Sequence, residues 1–366
     1  MIPFFLQEAG DVLKYTLKRL LQSLLTVLLI VSIVFLLMRL LPTDYYFRED
    51  ELMKFTEEQK HDRLEAEGLL DPPLVQLGNF FRNMFQYQIT KGKSVVKAYA
   101  LDQYISARLK GETIELAKGQ KAGWVFNLGM SRRISAGQPV QKVIAEKMGV
   151  SMQIGLISLA ISLVLGVVLG VLQARNKGGL LDNIGTGYTV FINAVPHLVS
   201  YSLILIFGNQ VLGLPAVYKS RDPATSLIMP VVCLALASTA GYMLWMRRYM
   251  VDELNKDYIR LAKLKGLSAT KVMFRHVLRN AFVPLAQYLP YSILLTVGGS
   301  LLVESFFAIP GMGPLLSNAI PRYDLNLVQA IVMFYASLGV IGVFLGDILM
   351  CLFDPRIKLT GKGDVR

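Results

Sequence analysis

The sequence predicts an all-α polytopic membrane protein with six transmembrane helices and a long external loop between the first and the second. Three observations carry that expectation. Of the 366 residues, 53% are hydrophobic and the mean hydropathy is +0.46, beyond the apolar share of a soluble domain. Six apolar stretches recur along the chain, each long enough as a helix to cross the roughly 30 Å of hydrocarbon in a bilayer. Lysines and arginines gather beside those stretches, as they do in loops on the cytoplasmic side.

The formal charge of +12 needs no nucleic acid partner. Polybasic loops lying on anionic lipid account for it, and no aromatic-and-basic RNA motif occurs. Cys233 and Cys351 both fall within apolar stretches, where a thiol behaves as a small hydrophobe, so no disulfide framework is expected.

In chain order, residues 1–18 read as a mildly amphipathic cytoplasmic leader. The first transmembrane helix is expected over 19–41, with its apolar centre at 20–38. Lys14, Lys18 and Arg19 put its start in the cytoplasm, and Arg39 at the far end can snorkel to the headgroups. The length of the run and the lack of a small-residue cleavage site predict that it stays in place as a span. By parity, the polar region 42–149 is external. Gly92-Lys93-Ser94 inside it is not a phosphate loop, because Tyr87 stands where the first glycine belongs.

The transmembrane domain 150–353 holds the remaining spans. The second, 152–172, carries Gly166 and Gly170 four apart, a small face on which another helix can pack. The third, 184–207, contains Asn193, Pro196 and His197. Pro196 is expected to kink or open it, and polar groups at membrane depth usually face a bundle interior or an aqueous path. For His197 the residue alone favours a packing or interface role. The fourth span is 226–246. The fifth, 282–303, has Pro284 and Pro290 at its entry, and the sixth, 327–353, carries Asp347, read as pairing with a loop lysine. Arg356, Lys358 and Lys362 keep the tail 354–366 in the cytoplasm with the N-terminus.

Between the fourth and fifth spans, 247–280 is basic and cannot enter a bilayer. Leu254, Tyr258, Leu261 and Leu264 recur at helical spacing, with Lys256, Arg260, Lys263 and Lys265 on other faces. Gly266 should end that helix and Ser268 should cap a second one carrying Val272, Met273, Phe274, Val277 and Leu278. Ala262 and Gly266 lie four apart and leave one edge without bulk. Approach of another protein's backbone and packing of the two half-loops on each other both account for that.

The string from Asp257 through Ser268, followed by Arg275 to Ala281 and Pro284, resembles the signature loop of ABC-importer permeases, most closely the oligopeptide/dipeptide (peptide/nickel) branch and its first-permease type. Arg260 stands where many importers have Glu. Other blocks fit the same family: Arg39-Leu40-Leu41-Pro42 after the first span, although Thr43-Asp44-Tyr45-Tyr46 replaces the usual Gly-Asp-Pro type turn; Glu67 to Gln76; Asn127 to Ser131 with Gly137 to Val140; Glu304 to Gly313; and Asp354-Pro355-Arg356. About 87–124 matches nothing in the family and reads as an insertion: a small helical cap, a docking surface for a binding protein, or a solvated elaboration.

The resemblance implies the type I ABC importer fold in a bacterial cytoplasmic membrane, a coupling role for Asp257, Tyr258, Arg260, Ala262, Gly266 and Ser268, and a pathway or gate near Asn193, Pro196, His197, Glu304, Pro310, Gly311 and Gly313. It also implies a second homologous permease, two cytoplasmic ABC ATPases holding ATP and Mg, an external substrate-binding protein, and peptide cargo. Nickel or glutathione import is the alternative within the family. No Walker motif, catalytic constellation or metal motif occurs, so this chain is expected to bind no cofactor or metal and to catalyse nothing itself. A secondary transporter would need an internal repeat and buried coupling carboxylates, and a membrane hydrolase would need a nucleophile and base. His61, His197 and His276 fall in different compartments or depths, and Asp347 alone fits a coupling role.

Overall fold

A computed structural model describes residues 2–47, 49–92, 94–111 and 116–353; the expected tail 354–366 lies outside them. Two compact units emerge. One comprises Met1–Val27, Lys147–Leu315 and Tyr335–Arg366, the other Leu28–Glu146 and Leu316–Phe334.

Helix α1 (Ile2–Met38) runs without a break through the stretch read as leader and first span. Two of its hydroxyls are satisfied internally: Thr26 and Ser32 donate to the carbonyls of Gln22 and Leu28, four residues back. Arg39, expected to reach the headgroups, is held by protein instead. Its guanidinium donates to the Tyr46 hydroxyl at 2.6 Å and lies 4.4 Å from the centroid of the Phe35 ring.

In the unit built on 28–146, α2 (Glu49–Lys54) and α3 (Glu57–Ala66) enclose a small core of Tyr46, Phe47, Leu64 and Leu325. Thr56 and Gln59 form a capping box at the start of α3. Tyr45 stacks on Tyr323 with ring centroids 3.8 Å apart, and its hydrogen bond with Tyr323, which favours the neutral Tyr45 hydroxyl, pushes that phenol above its ordinary range. Helix α4 (Pro73–Met84) starts with proline at its first position and packs Phe80 on Phe35.

The insertion is a sheet rather than a helical cap. Strands β1 (Phe85–Lys91), β2 (Ser94–Ala100) and β3 (Gln120–Phe126) pair antiparallel in the order β2-β1-β3, with Tyr87 opposite both Tyr99 and Trp124. Helix α5 (Leu101–Leu109) lies against it, bringing Tyr104 within 4.5 Å of the Tyr87 ring and 4.9 Å of Trp124. Ile89, Thr90, Val95, Val96 and Val125 suit strands, and Gly92 supplies the positive φ, 64°, of the hairpin turn.

Asp324 organises the rest of this unit. Fully buried, it accepts from the Ser131 hydroxyl at 2.5 Å and from the backbone N–H groups of Arg132, Arg133 and Ile134 at 3.0–3.1 Å. Arg132 then reaches the Tyr46 carbonyl at 3.0 Å and Glu67 at 2.5 Å, and Arg133 the Phe47 carbonyl.

The other unit starts from α6 (Val140–Arg175), longer than the predicted 152–172. Gly166 and Gly170 face the helix that follows the third span, where a methyl group on either would collide with Tyr242 to Arg247. The small face therefore packs as expected. The third span is not one helix. Helices α7 (Leu180–Ala194) and α8 (His197–Gln210) meet at an angle of 107°. Val195 is extended, as a residue preceding proline should be, and Pro196 opens α8. At 1.5 Å per residue each half spans about 22 Å, short of a bilayer's hydrocarbon.

A short turn, α9 (Pro223–Ser226), leads into α10 (Ile228–Leu254). This helix continues eight residues past the predicted 246, so Arg247 to Leu254 are helix and not loop. The predicted fifth span is likewise divided. Residues 257–281 come between as α11 (Asp257–Leu264), α12 (Ala269–Val272) and α13 (Leu278–Ala281), and are followed by α14 (Val283–Val297) and α15 (Leu301–Phe306). Gly299, with φ 73°, interrupts the last two, and the Ser300 side chain caps α15. Helices α16 (Met312–Ala319) and α17 (Leu325–Phe353) complete the chain. Among the described residues five helical stretches are long and apolar enough to cross a membrane, and the α7–α8 pair makes a sixth if it counts as one.

Candidate functional site: the 247–280 segment and the cavity above it

Asn255 and Lys256 end α10, and α11 begins with Asp257 in its first turn, where a carboxylate favours the helix N-terminus. Gly266 closes α11 at φ 76°, and the Ser268 hydroxyl accepts from the Lys271 N–H at 3.4 Å. Both expected end signals hold. Leu254, counted among the apolar positions of this helix, belongs to α10.

The buried face of α11 is not the predicted one. Ile259 and Ala262 are buried, in one core with Val171 and Ala174 of α6, Met246 and Met250 of α10, and Val272 and Val277 of the second half-loop. Ala262 is small because its own chain packs over it. Gly266 is glycine because of its left-handed backbone; no atom lies within 4 Å of where its Cβ would be. Leu261 is 53% and Leu264 84% exposed, and Phe274 of the second half-loop is also 53% exposed. Arg260 pairs with Asp257, at 3.7 Å, on an open surface.

Tyr258 ties this segment to both flanking helices. Its hydroxyl contacts Glu253 at the end of α10, and the Asn280 side-chain amide of α13 donates to that hydroxyl at 2.7 Å and to Glu253 at 3.2 Å. A π-helical turn at Met273–Val277 sits between the two anchors. Deeper in, Arg247 donates to both oxygens of the buried Asp182, at 2.5 and 2.7 Å, joining α10 to the start of α7. Sequence reasoning missed this pair: the two residues are 65 positions apart, and Asp182 carries no motif.

Above the segment, α6, α10, α14 and α17 enclose a cavity of about 820 Å³. Tyr242, Trp245, Tyr249, Tyr288 and Tyr291 line it, with Gln287, Asp347 and Glu304 among its polar groups. Asp347 pairs with Arg19 of α1 at 3.5 Å, not with a loop lysine, and accepts from Gln287 at 3.4 Å. Glu304 is buried at one end, accepting from the backbone N–H groups of Gly313 at 2.8 Å and Ser300 at 3.1 Å. Gly311 packs against Glu304 and Ser151, whose hydroxyl accepts from the Met312 N–H at 2.7 Å.

Of the seven positions expected at a pathway or gate, Glu304, Gly311 and Gly313 come together in this knot, and Glu304 alone lines the cavity. Pro310 is exposed beside them. Asn193, Pro196 and His197 sit elsewhere, at the α7–α8 corner. All three are exposed; Asn193 donates to the Thr189 carbonyl, and His197 stacks on Tyr201 with centroids 6.2 Å apart. The cavity tyrosines went unnoticed because each reads as an ordinary aromatic of an apolar helix.

Comparison with known proteins agrees with this architecture. The family model of the binding-protein-dependent transport system inner membrane component matches residues 166–359. The chain is 32% identical over 346 residues to the dipeptide transport system permease protein DppB of Lactococcus lactis subsp. cremoris, covering 94% of this chain and 99% of that one. It is 30% identical to the oligopeptide transport system permease protein OppB of Haemophilus influenzae, covering 94% and 99%. With the oligopeptide transport system permease protein AmiC of Streptococcus pneumoniae it shares 35% identity over 211 residues, 57% of this chain but only 42% of that longer protein. A helical membrane protein with this segment, this cavity and these relatives belongs to the family of binding-protein-dependent transport system inner membrane components.

Proposed function

We propose that this chain is one permease half of an ATP-driven peptide importer in the bacterial cytoplasmic membrane, with both termini in the cytoplasm. The observation that carries the reading is the continuity between the exposed 257–274 surface and the cavity. Helices α6 and α10 contribute to both the core under Ile259 and Ala262 and the cavity wall.

In this reading two cytoplasmic ATPases, which hold ATP and Mg, dock on Leu261, Leu264 and Phe274. A second homologous permease supplies the other half of the path, and an external binding protein delivers cargo. Burial of three exposed apolar side chains gives docking its driving force. Because α11 is locked to α10 and α13 by Tyr258 and to α6 through the shared core, ATPase closure moves the inner ends of these helices together and switches the cavity between the two faces of the membrane. The chain itself binds no nucleotide in this scheme; its chemistry is binding and motion.

Relatives named as dipeptide and oligopeptide permeases and a cavity within the size range of pockets for drug-sized molecules support peptide cargo. Nickel import is less well supported, since the cavity lining offers two carboxylates but no His or Cys among the described residues.

Uptake of labelled di- to hexapeptides in cells lacking this gene tests the reading. The wild-type gene should restore uptake and Leu264→Asp should not, while the variant protein stays in the membrane. Peptide uptake that is indifferent to the gene would remove the peptide assignment, and full uptake by Leu264→Asp would remove the docking surface.

A further inference from the structure

The cavity is lopsided in charge. Two carboxylates, Glu304 and Asp347, and five large aromatic side chains line it, while no Lys or Arg does so among the described residues. Two guanidinium groups beside lining residues are already engaged: Arg19 with Asp347 at 3.5 Å, and Arg248 with the Trp245 ring at 5.2 Å. Glu304 is held by backbone N–H groups and hydroxyl contacts, and no ion pair to it is found among the described residues.

This asymmetry matters because the walls are otherwise apolar and the path must be crossed by charged cargo. A cation entering the cavity meets ring faces, whose quadrupoles attract it, and a carboxylate field. An anion meets no lining cation, because Arg19 is paired with Asp347 and Arg248 with Trp245, and it must shed water against the carboxylate of Glu304, which has no such partner among the described residues. Tyr288 and Trp245 present the most exposed of these rings, and Tyr291, 5.3 Å from Tyr288, extends the aromatic wall on the helix that carries Gln287.

We propose that the cavity selects cargo by charge, passing peptides with basic or neutral side chains and retarding those with acidic side chains. The inference rests on the peptide-import reading and adds a substrate class to it.

The test uses cells carrying the complete transporter and three labelled tripeptides of equal length, Ala-Lys-Ala, Ala-Ala-Ala and Ala-Glu-Ala. For each, the rate of a variant is divided by that of the wild type, so that the contribution of the binding protein cancels. Gln287→Lys adds a cation to the wall and engages Asp347, two changes of the same sign. Relative to the neutral peptide, it should slow the lysine peptide about tenfold and speed the glutamate peptide by a similar factor. Tyr288→Leu removes a ring without changing charge and should slow only the lysine peptide, by about threefold. This second variant decides the matter if Gln287→Lys proves inactive towards all three. Equal ratios for the three peptides in a variant that still imports the neutral one would overturn the inference alone. Failure of the wild-type chain to support uptake of any of them would instead overturn the peptide reading, and the inference with it.

Discussion

The Asp182 carboxylate and the Arg247 guanidinium meet in a two-pronged bond, at 2.5 and 2.7 Å, two turns before the end of α10. Asp182 also accepts from the Gly178 N–H at 2.9 Å, so one side chain closes the turn before α7 and fixes that turn to α10. Asp182→Ala leaves a largely buried guanidinium without its partner and should cost about 3 kcal/mol. Thermal unfolding of the purified protein in detergent measures it. Arg247→Lys keeps the charge but loses the fork and should fall between wild type and Asp182→Ala.

Leu264→Asp disturbs little inside this chain, because the side chain is 84% exposed. Unfolding should be unchanged, while ATP hydrolysis by the assembled transporter loses its dependence on cargo. A lowered unfolding temperature would point to a structural role for Leu264.

Replacement of Gly266 tests the loop corner and not the docking surface. Space around it is open, so the cost is backbone strain: about 1–2 kcal/mol for Ala and less for Asn, which tolerates the left-handed region. Limited proteolysis at 264–270 should rank Ala above Asn above wild type in cleavage rate. Equal rates would mean that the corner relaxes freely.

Gly170→Val forces a branched side chain into the backbone of α10 at Met243 to Arg247. A loss of about 3 kcal/mol or failure to accumulate in the membrane is expected, whereas Gly187→Ala, with nothing within 4 Å, should be silent. Quantitative immunoblotting of membrane fractions distinguishes the two.

Asp324→Asn keeps the size but loses charge-assisted acceptance from three backbone N–H groups. The unit built on 28–146 should become protease-sensitive near 131–134 while the cavity helices keep their protection from hydrogen exchange.

Local chemistry made much of this legible from sequence. Gly266 and Ser268 announce a corner and a cap, Gly166 and Gly170 a close helix contact, and Pro196 an interruption. Local chemistry did not set magnitudes or faces. Pro196 predicts a kink, but the 107° corner depends on what α7 and α8 pack against. Ile259, flanked by polar residues, turned out to be the buried residue of α11, while Leu261 and Leu264, which look more like core, are exposed. The sheet at 85–126 was overlooked although Val95, Val96 and the Gly92 turn signal it, because lysines break up its apolar pattern. Pairs such as Asp182 with Arg247 and Asp324 with Ser131 are tertiary, and single-sequence periodicity carries no trace of them.

The corner at Pro196 also constrains how the protein is made. Neither α7 nor α8 is long enough to rest across hydrocarbon by itself; α6 touches α7 through Gln173 and α15 touches α8 at Tyr201, and α10 grips both. Tyr188 of α7 donates to the Leu236 carbonyl at 2.6 Å, Asp182 grips Arg247, and Gly208 of α8 lies against Met229. All of those α10 partners lie C-terminal to the corner and are synthesised after it. Residues 180–210 therefore lack their α10 contacts until 37 more residues, through Arg247, have followed, so the two segments must partition together with α10.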